Sequence, residues 1–492
     1  MDEFYIDYLK NFILSIKKIL PKNLILDRKN FILNLEKFLK REIEKIIAPS
    51  LCWLLWEERE NLIGNNSKER FNYFVKRYKK DFFNIYPEIN LILSNFLEKE
   101  FYFLSTVIHK ITKNINVLNK KFNLKSKKLR RIIFTNNADR HFNGFRTFFL
   151  DFDGKIIKVK PFCFSFNSFL IDLFSKIDKN VTENFPKYYL IDRWFFAEFI
   201  HYNKKSDKQK AKNFYYEIGK LMALAYCFNG VDFHMENLIV NKNRPIILDL
   251  EGFVTNFSIF RSNLKNNLYV TGFLERKTKE PPTSAILGGN EKLISLTDPV
   301  ILNKNTDKMY IIYRKYSNYK LHNRIFIKNK MVMPGAFKNE IIKGFKDFYL
   351  KVIENKKNII INLNKIEKSY SRVILRKTSF YSILIQHITQ PINFPLKNFI
   401  LKIKKAFLQN SFKFHRVKRK RLKKVIDFEL KSIYNLEVPI FWQKIGKRDL
   451  YFPKGVIKDF FKKSAKDILM EKIEDISKKD LNRKVKTIDK VL

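Results

Sequence analysis

Between Gly230 and Phe253 the chain reads GVDFHMENLIVNKNRPIILDLEGF, which sets Asp232, His234, Asn237, Asp249 and Glu251 among apolar residues. Ionisable groups beside a hydrophobic run are costly unless they are paired or hold a cation. These residue types suit phosphoryl transfer. That chemistry needs a carboxylate beside the attacking hydroxyl. It also needs an amide and a second carboxylate that hold Mg²⁺ against nucleotide phosphates. Asp232-x-His234-x-x-Asn237 followed by Asp249 supplies all three types. A lysine on an upstream strand should neutralise the remaining phosphate charge, and Lys160, closing KIIKVK, fits that place. D-x-H-x-x-N alone arises often by chance, and the bland reading is a surface loop with solvated acids. The strand-borne Asp249 and the upstream Lys160 favour the functional one. His234 is equally suited to orienting the loop through hydrogen bonds.

Several elements must hold these groups. Apolar residues recur every three or four positions from Met1 to about Lys121, which predicts helices. TFFLDFDGKIIKVK, residues 147–160, predicts two strands joined at Asp153-Gly154. KAKNFYYEIGKLMALAYCF, 210–228, predicts a helix. The window itself predicts a loop, a short strand (NLIV), a turn (NKNR) and a strand (PIILDL). Strand lysine, loop Asp and Asn, then strand-end Asp is the order found in kinases generally. Residues 263–308, with Pro281-Pro282 and Gly288-Gly289, are expected to be loop-rich. Residues 337–364 and 372–388 have helical period, and 415–435 reads as a basic helix.

The chain has 492 residues, enough for a large core and two or three packed subdomains. Its 97 Lys and Arg against 49 Asp and Glu give a net charge of +48, which favours an acidic polypeptide or another anionic partner. The lysines are spread throughout a Lys-, Asn-, Ile- and Phe-rich text, as A/T-rich coding also produces. No zinc-finger spacing or ribonucleoprotein aromatic motif is present, so nucleic acid is disfavoured. Cys52, Cys163 and Cys227 lie far apart and suggest neither a zinc site nor a disulfide framework. The N-terminus lacks a basic region and a long apolar stretch, and no apolar run reaches membrane-spanning length. The expectation is a cytoplasmic protein with reduced thiols.

Several segments together, over about residues 45–445, resemble the dehydratase domain of class II lanthipeptide synthetases, the LanM enzymes. NNADRHFNGFR is similar to the family's G-D-x-H-x-x-G-R region and brings in Asp139, His141 and Asn143. GKIIKVKP is similar to its Y-K-P motif at Lys160. VDFHMENLIV and PIILDLEGF are similar to its D-x-H-x-E-N and D-L-E motifs. SRVILRKTSFYSILI resembles R-x-x-x-R-x-T-x-x-Y, placing Arg372, Arg376 and Thr378. LEVPIFW resembles G-D-I-P-x-F, and IYPEINLIL resembles Y-P-x-L.

The resemblance implies an α+β fold with a lipid-kinase-like two-lobed core and an added, mainly helical N-terminal region. The implied divisions are 1–125 for that region, 126–230 for an N-lobe and 231–492 for a C-lobe. It also implies two steps on a precursor (leader–core) peptide: ATP·Mg²⁺ phosphorylates Ser or Thr, then elimination of phosphate leaves dehydroalanine or dehydrobutyrine. Asp232 would accept the hydroxyl proton, Asn237 and Asp249 would hold Mg²⁺, and Lys160 would bind ATP phosphates, with His234 and Glu251 completing that set. Elimination needs a base for a weakly acidic Cα proton and a cation on the departing phosphate. Arg372, Thr378, Asp139 and His141 would supply it, the planar guanidinium matching phosphate oxygens.

The match also departs from the family. V-K-P lacks an aromatic before Lys160, and EPPTSAILGG, 280–289, has Pro282 where the family carries an acid. No cysteine follows Cys227, so ring closure is not expected of these residues and a separate cyclase is an implied partner. Two other readings stand beside the dehydratase. One is a peptide or protein Ser/Thr kinase without elimination. The other is a catalytically idle basic protein that binds an acidic peptide or nucleic acid, motivated by HRVKRKRLKK, 415–424, a run more often a solvated helix face.

Overall fold

The computed structural model describes all residues except 22, 136–138, 162–165, 193, 260–263, 277–281, 289–292, 297–298, 314, 319–321 and 410–416. Cys163, part of the 280–289 loop and the first two residues of the basic run thus lie outside the described residues.

The N-terminal period forms the helices Ile6–Ile19, Arg28–Glu57, Ser67–Tyr78 and Pro87–Phe122. Their ends are written locally. Asp27 and Asn66 accept backbone N–H groups as N-caps, and Asn123 ends the long helix in a left-handed conformation at φ 50°. The apolar stripe Ile89, Ile92, Leu93, Phe96 and Phe103 is buried, as an amphipathic helix requires.

Against these helices lies an antiparallel sheet of β1 (Arg131–Phe134), β2 (Phe148–Phe152), β3 (Lys155–Lys160), β4 (Tyr188–Ile191) and β5 (Trp194–Glu198). Its strand order is β1-β2-β3-β5-β4. The predicted hairpin is present. Asp153 and Gly154 take φ 52° and 90°, the left-handed pair that a two-residue turn demands, and Phe152 pairs with Lys155. Along β3, Ile157 and Val159 are fully buried, so the alternating Lys158 and Lys160 share the other face.

Two hydrophobic cores result. One joins the N-terminal helices and the sheet to the helices Thr378–Ile388, Leu396–Gln409 and Arg419–Tyr434. The second is built on the helices Lys208–Cys227 and Lys338–Glu354 with the hairpin of Leu238–Asn241 and Arg244–Ile247. Those two helices touch backbone to backbone. A Cβ on Gly219 would sit 2.0 Å from the Ile341 carbonyl oxygen, and one on Gly344 would sit 1.9 Å from that of Tyr216. No larger side chain fits either position without separating the helices.

The structure corrects one expectation and refines two. Residues 372–388 are not one helix: Tyr370–Val373 is a strand paired with Phe441–Lys444, and the helix begins at Thr378. Ser371 and Val373 point inward and Arg372 outward, a period of two that long-range pairing selects over the helical alternative. The loop-rich stretch 263–308 contains Leu293–Leu296, paired with Lys315–Asn318, and Val300–Leu302, paired with Tyr310–Ile312. The basic run starts its helix at Arg419. Leu422, Val425 and Ile426 face the core, and Lys420, Lys423 and Lys424 form an exposed outer face. The overall class is mixed helix and sheet, α+β. Among the described residues no helix is long and apolar enough to cross a membrane.

Candidate functional site

The loop 230–237 is shaped by what flanks it. Phe233 is buried and packs on the rings of Phe253 and Phe273 at 4.9 and 5.4 Å. Gly252 lies so close to the loop that a Cβ there would come 2.1 Å from the Val231 carbonyl oxygen, and the Val231 N–H donates to the Gly252 carbonyl at 3.0 Å. Only glycine lets DLEGF dock here. Between these anchors Asp232 takes φ 67°, a conformation Asp tolerates better than most residues. The Asn237 amide nitrogen donates to the Asp232 carbonyl at 2.9 Å and lies 3.2 Å from His234 Nε2. The Glu236 N–H donates to His234 Nδ1 at 3.3 Å, so His234 also orders the loop.

The hairpin places Asp249 and Glu251 just beyond Ile247, facing the end of β3. Lys160 Nζ donates to Asp249 at 2.5 Å and to Glu251 at 3.3 Å. The other oxygen of Glu251 accepts from Arg372 Nη1 at 2.8 Å. Glu251 is therefore a node between Lys160 on the sheet and Arg372 on the strand Tyr370–Val373. Lys160, Glu251 and Arg372 have side chains only 14%, 12% and 17% exposed, so these ion pairs act with reduced screening. Burial alone would raise the Asp249 carboxyl, but the Lys160 and Lys158 ammoniums outweigh it and hold Asp249 well below the usual range. Burial opposes the charged forms of Lys160 and Arg372. Asp249 and Glu251 reverse this at Lys160, Glu251 leads the reversal at Arg372, and both bases are strengthened.

Asp139, His141 and Thr378 close the same cleft. Thr378, first residue of its helix, hydrogen-bonds the Asp139 side chain. Burial raises the Asp139 carboxyl above its ordinary value, against the pull of Arg372. His141 Nδ1 lies 2.8 Å from the Val438 carbonyl. A carbonyl only accepts, so Nδ1 carries the proton and Nε2 is the basic nitrogen. Burial, with Arg372 and Lys160 nearby, pushes the imidazole down to about 3, so it is neutral at ordinary pH. Asp232 stands at the open mouth of the cleft. Displaced water raises its carboxyl, Asp249 and Glu251 adding to this and His234 and Arg372 opposing it.

The ten residues nominated for catalysis or binding thus converge, while the motif residue Arg376 does not. It pairs with the fully buried Glu429 at 2.9 Å and lies over the Phe407 ring at 4.4 Å. Asn143, at φ 58°, shapes the turn in which the Gly144 N–H donates to Glu437 at 3.1 Å. Lys158 was missed. Its ammonium lies 3.4 Å from the Leu248 carbonyl and is lowered to about 8 by burial and by Lys160, against the pull of Asp249 and Glu251. The readable signal was its place two residues before Lys160 on one strand face. The loop around Pro282 lies directly on the Asp232 loop: the Met235 N–H donates to the Thr283 carbonyl at 3.0 Å, and His234 bridges to Ser284.

Among the described residues no group of three or more His, Cys, Asp or Glu forms a metal cage. Mg²⁺ in phosphoryl transfer takes one or two protein oxygens plus phosphate oxygens. The ionised Asp249 carboxylate and the Asn237 amide oxygen, whose amide nitrogen is turned to the backbone, are hard oxygen donors of that kind.

A protein-family profile described as "Domain of unknown function (DUF4135)" matches residues 86–444. The chain is 27% identical over 399 residues to the lacticin 481/lactococcin biosynthesis protein LcnDR2 of Lactococcus lactis subsp. lactis. That alignment covers 71% of this chain and 42% of the relative, so the chain spans less than half of that protein's length. The family match takes in most of the chain and every motif around the cleft, and the chain accordingly belongs to the DUF4135 family, a domain of LanM-type lanthipeptide synthetases.

Proposed function

We propose that this chain modifies a precursor peptide in lanthipeptide biosynthesis, first phosphorylating Ser or Thr with ATP and then eliminating the phosphate. The observation that carries this reading is Glu251, which bonds Lys160 and Arg372 at once and so joins a phosphate-transfer set to a phosphate-elimination set in one cleft. The relative's role in lacticin 481 and lactococcin biosynthesis supports the peptide substrate.

In transfer, Asp232 accepts the proton of the attacking hydroxyl, its raised carboxyl being a stronger base than an ordinary aspartate. His234 and Asn237 hold the loop that presents it. Lys160 and Lys158 receive the triphosphate charge, and Asn237 and Asp249 hold Mg²⁺. Bound there, the metal offsets the charge that spreads over the phosphoryl oxygens. On this reading the arrangement is a lipid-kinase-like two-lobed core, with the cleft between the β1–β5 sheet and the hairpin 238–247.

In elimination, Cα–H breaks, its electron pair forms the Cα–Cβ double bond, and the Cβ–O bond breaks to release phosphate. Arg372 binds the departing phosphate through its guanidinium, and Thr378 orients Asp139. Asp139, its carboxyl raised by burial, is the proton-accepting group within this half of the cleft, and the neutral His141 stands with it near Arg372. Incubation of a candidate precursor with ATP and Mg²⁺ should give products lighter by roughly 18 Da per modified residue, from phosphorylation followed by elimination. Products that only gain phosphate would reduce the proposal to a peptide kinase, and unmodified peptide would overturn it.

A further inference from the structure

Away from this cleft a groove of about 660 Å³ opens at the surface, within the usual range of ligand sites. One wall carries Trp53 and Trp56, 39% and 68% exposed with rings 6.0 Å apart. The other follows the strand Tyr310–Ile312, where Tyr310 is 47% exposed. Adjacent exposed tryptophans are uncommon on a surface with nothing to bind and dominate binding energy where they occur at interfaces. The strand pairs with Val300–Leu302, and among the described residues no strand covers its other edge. An uncovered edge accepts an extended peptide as an added strand.

This wall is pinned in place. Asp307 accepts from Arg70 at 2.6 Å and from Ser67, and Lys304 reaches Glu44 at 2.5 Å. Of the three ionised residues that line the groove two are basic, and just outside it Glu57 accepts from the Trp53 indole N–H at 2.7 Å. Arg59 and Lys308 stand exposed at its rim, whereas the Asp307 carboxylate is buried against Arg70. Its position relates it to the cleft. Gln390 and Pro391 line it, immediately beyond the helix Thr378–Ile388 whose first residue holds Asp139. Eleven helical residues span about 16 Å at 1.5 Å each, a distance that about five residues of extended chain cover.

We propose that this groove binds an extended segment of the peptide substrate, alternating acidic and apolar, several residues away from the Ser or Thr being modified. The segment adds a strand to Tyr310–Ile312, lays apolar side chains on Trp53 and Trp56 and sets its acids against Arg59 and Lys308. The inference rests on the peptide-substrate reading above.

The test is fluorescence anisotropy on the full chain, with a labelled peptide of alternating Glu and Leu, its Lys–Leu counterpart, and a Glu–Leu peptide N-methylated at alternate residues. The Glu–Leu peptide should bind, and Trp56→Ala should weaken it by about tenfold or more, as loss of an aromatic anchor does. The N-methylated peptide should lose binding because it cannot complete the strand pairing. Lys160→Ala should bind like the parent. Trp56→Ala at parental affinity, equal binding of the Lys–Leu peptide, full binding of the N-methylated one, or no binding to the parent chain would each overturn the groove assignment. Groove-dependent binding by a chain that never phosphorylates a precursor would instead sink the catalytic reading and leave the groove standing.

Discussion

Arg372 and Arg376 stand four residues apart, and each pairs with a glutamate at 2.8–2.9 Å, yet they belong to different parts of the molecule. Arg372 meets Glu251, which also accepts from Lys160 and faces the cleft. Arg376 meets Glu429, which is fully buried, accepts from the Tyr381 hydroxyl at 2.6 Å and lies in the core formed with the helix Arg419–Tyr434. Burial raises the Glu429 carboxyl despite its arginine, the mark of a pair sealed from water. On the proposed reading the same chemical pair serves reactivity in one place and packing in the other. What separates them is whether the acid is shared with further cations in an open cleft or enclosed by apolar rings.

That contrast can be broken experimentally. The largest effect is expected at the cleft. Lys160→Ala, or Asp232→Asn beside it, should reduce phosphoryl transfer by about 10²–10⁴-fold, followed by mass spectrometry of a precursor peptide. The unfolding midpoint should stay near that of the parent chain, and a collapse of the fold would show that the cleft cations are structural. Next is Glu429→Ala, which strands Arg376 in the core and should cost about 3–5 kcal/mol of stability. Urea unfolding measures it, and the product pattern of the folded fraction should be unchanged. Arg372→Ala should do the reverse. Phosphopeptide should accumulate as elimination slows by about 10²–10³-fold, with a stability loss of about 1–3 kcal/mol, less than at Glu429 because Lys160 still pairs with Glu251. Normal dehydration by this variant would place Arg372 with Arg376 after all.

The smallest expected effect, taken per pH unit, is on the acid limb of stability. His141 is lowered in the folded chain to about 3, whereas an unfolded histidine titrates near about 6.5. Between those values the unfolded chain binds more protons, so this group's contribution falls as pH drops through the window, by at most about 1.4 kcal/mol per pH unit. Above about 6.5 it is constant. His141→Gln should flatten the acid limb of a urea-midpoint profile, and an unchanged limb would show that His141 is not the group being protonated.

Much of the local architecture was legible in the residues. The Asp153-Gly154 turn, the helix ending near Cys227 and the hairpin ahead of Asp249 follow from short-range rules of turn and period. The Asp232 loop, with Asn237 and Lys160, could be nominated from residue type and order alone. The strand at Arg372 could not. Its period of two is revealed only by pairing with Phe441–Lys444, about seventy positions on, and in isolation the stretch reads equally well as helix. Lys158 was hidden because its role depends on Leu248, Asp249 and Glu251 lying opposite β3. The groove beside Trp53 was hidden because its two walls are far apart in the chain.

The sequence by itself determined the kinds of groups available, the elements that carry them and the family whose motifs they match, since types, turns and periods are local properties. Tertiary structure alone decided which glutamate each arginine meets, which lysine faces the cleft and how strongly each acid is held ionised. Those outcomes depend on distance and on water, and both are set by packing between segments that the chain order leaves far apart.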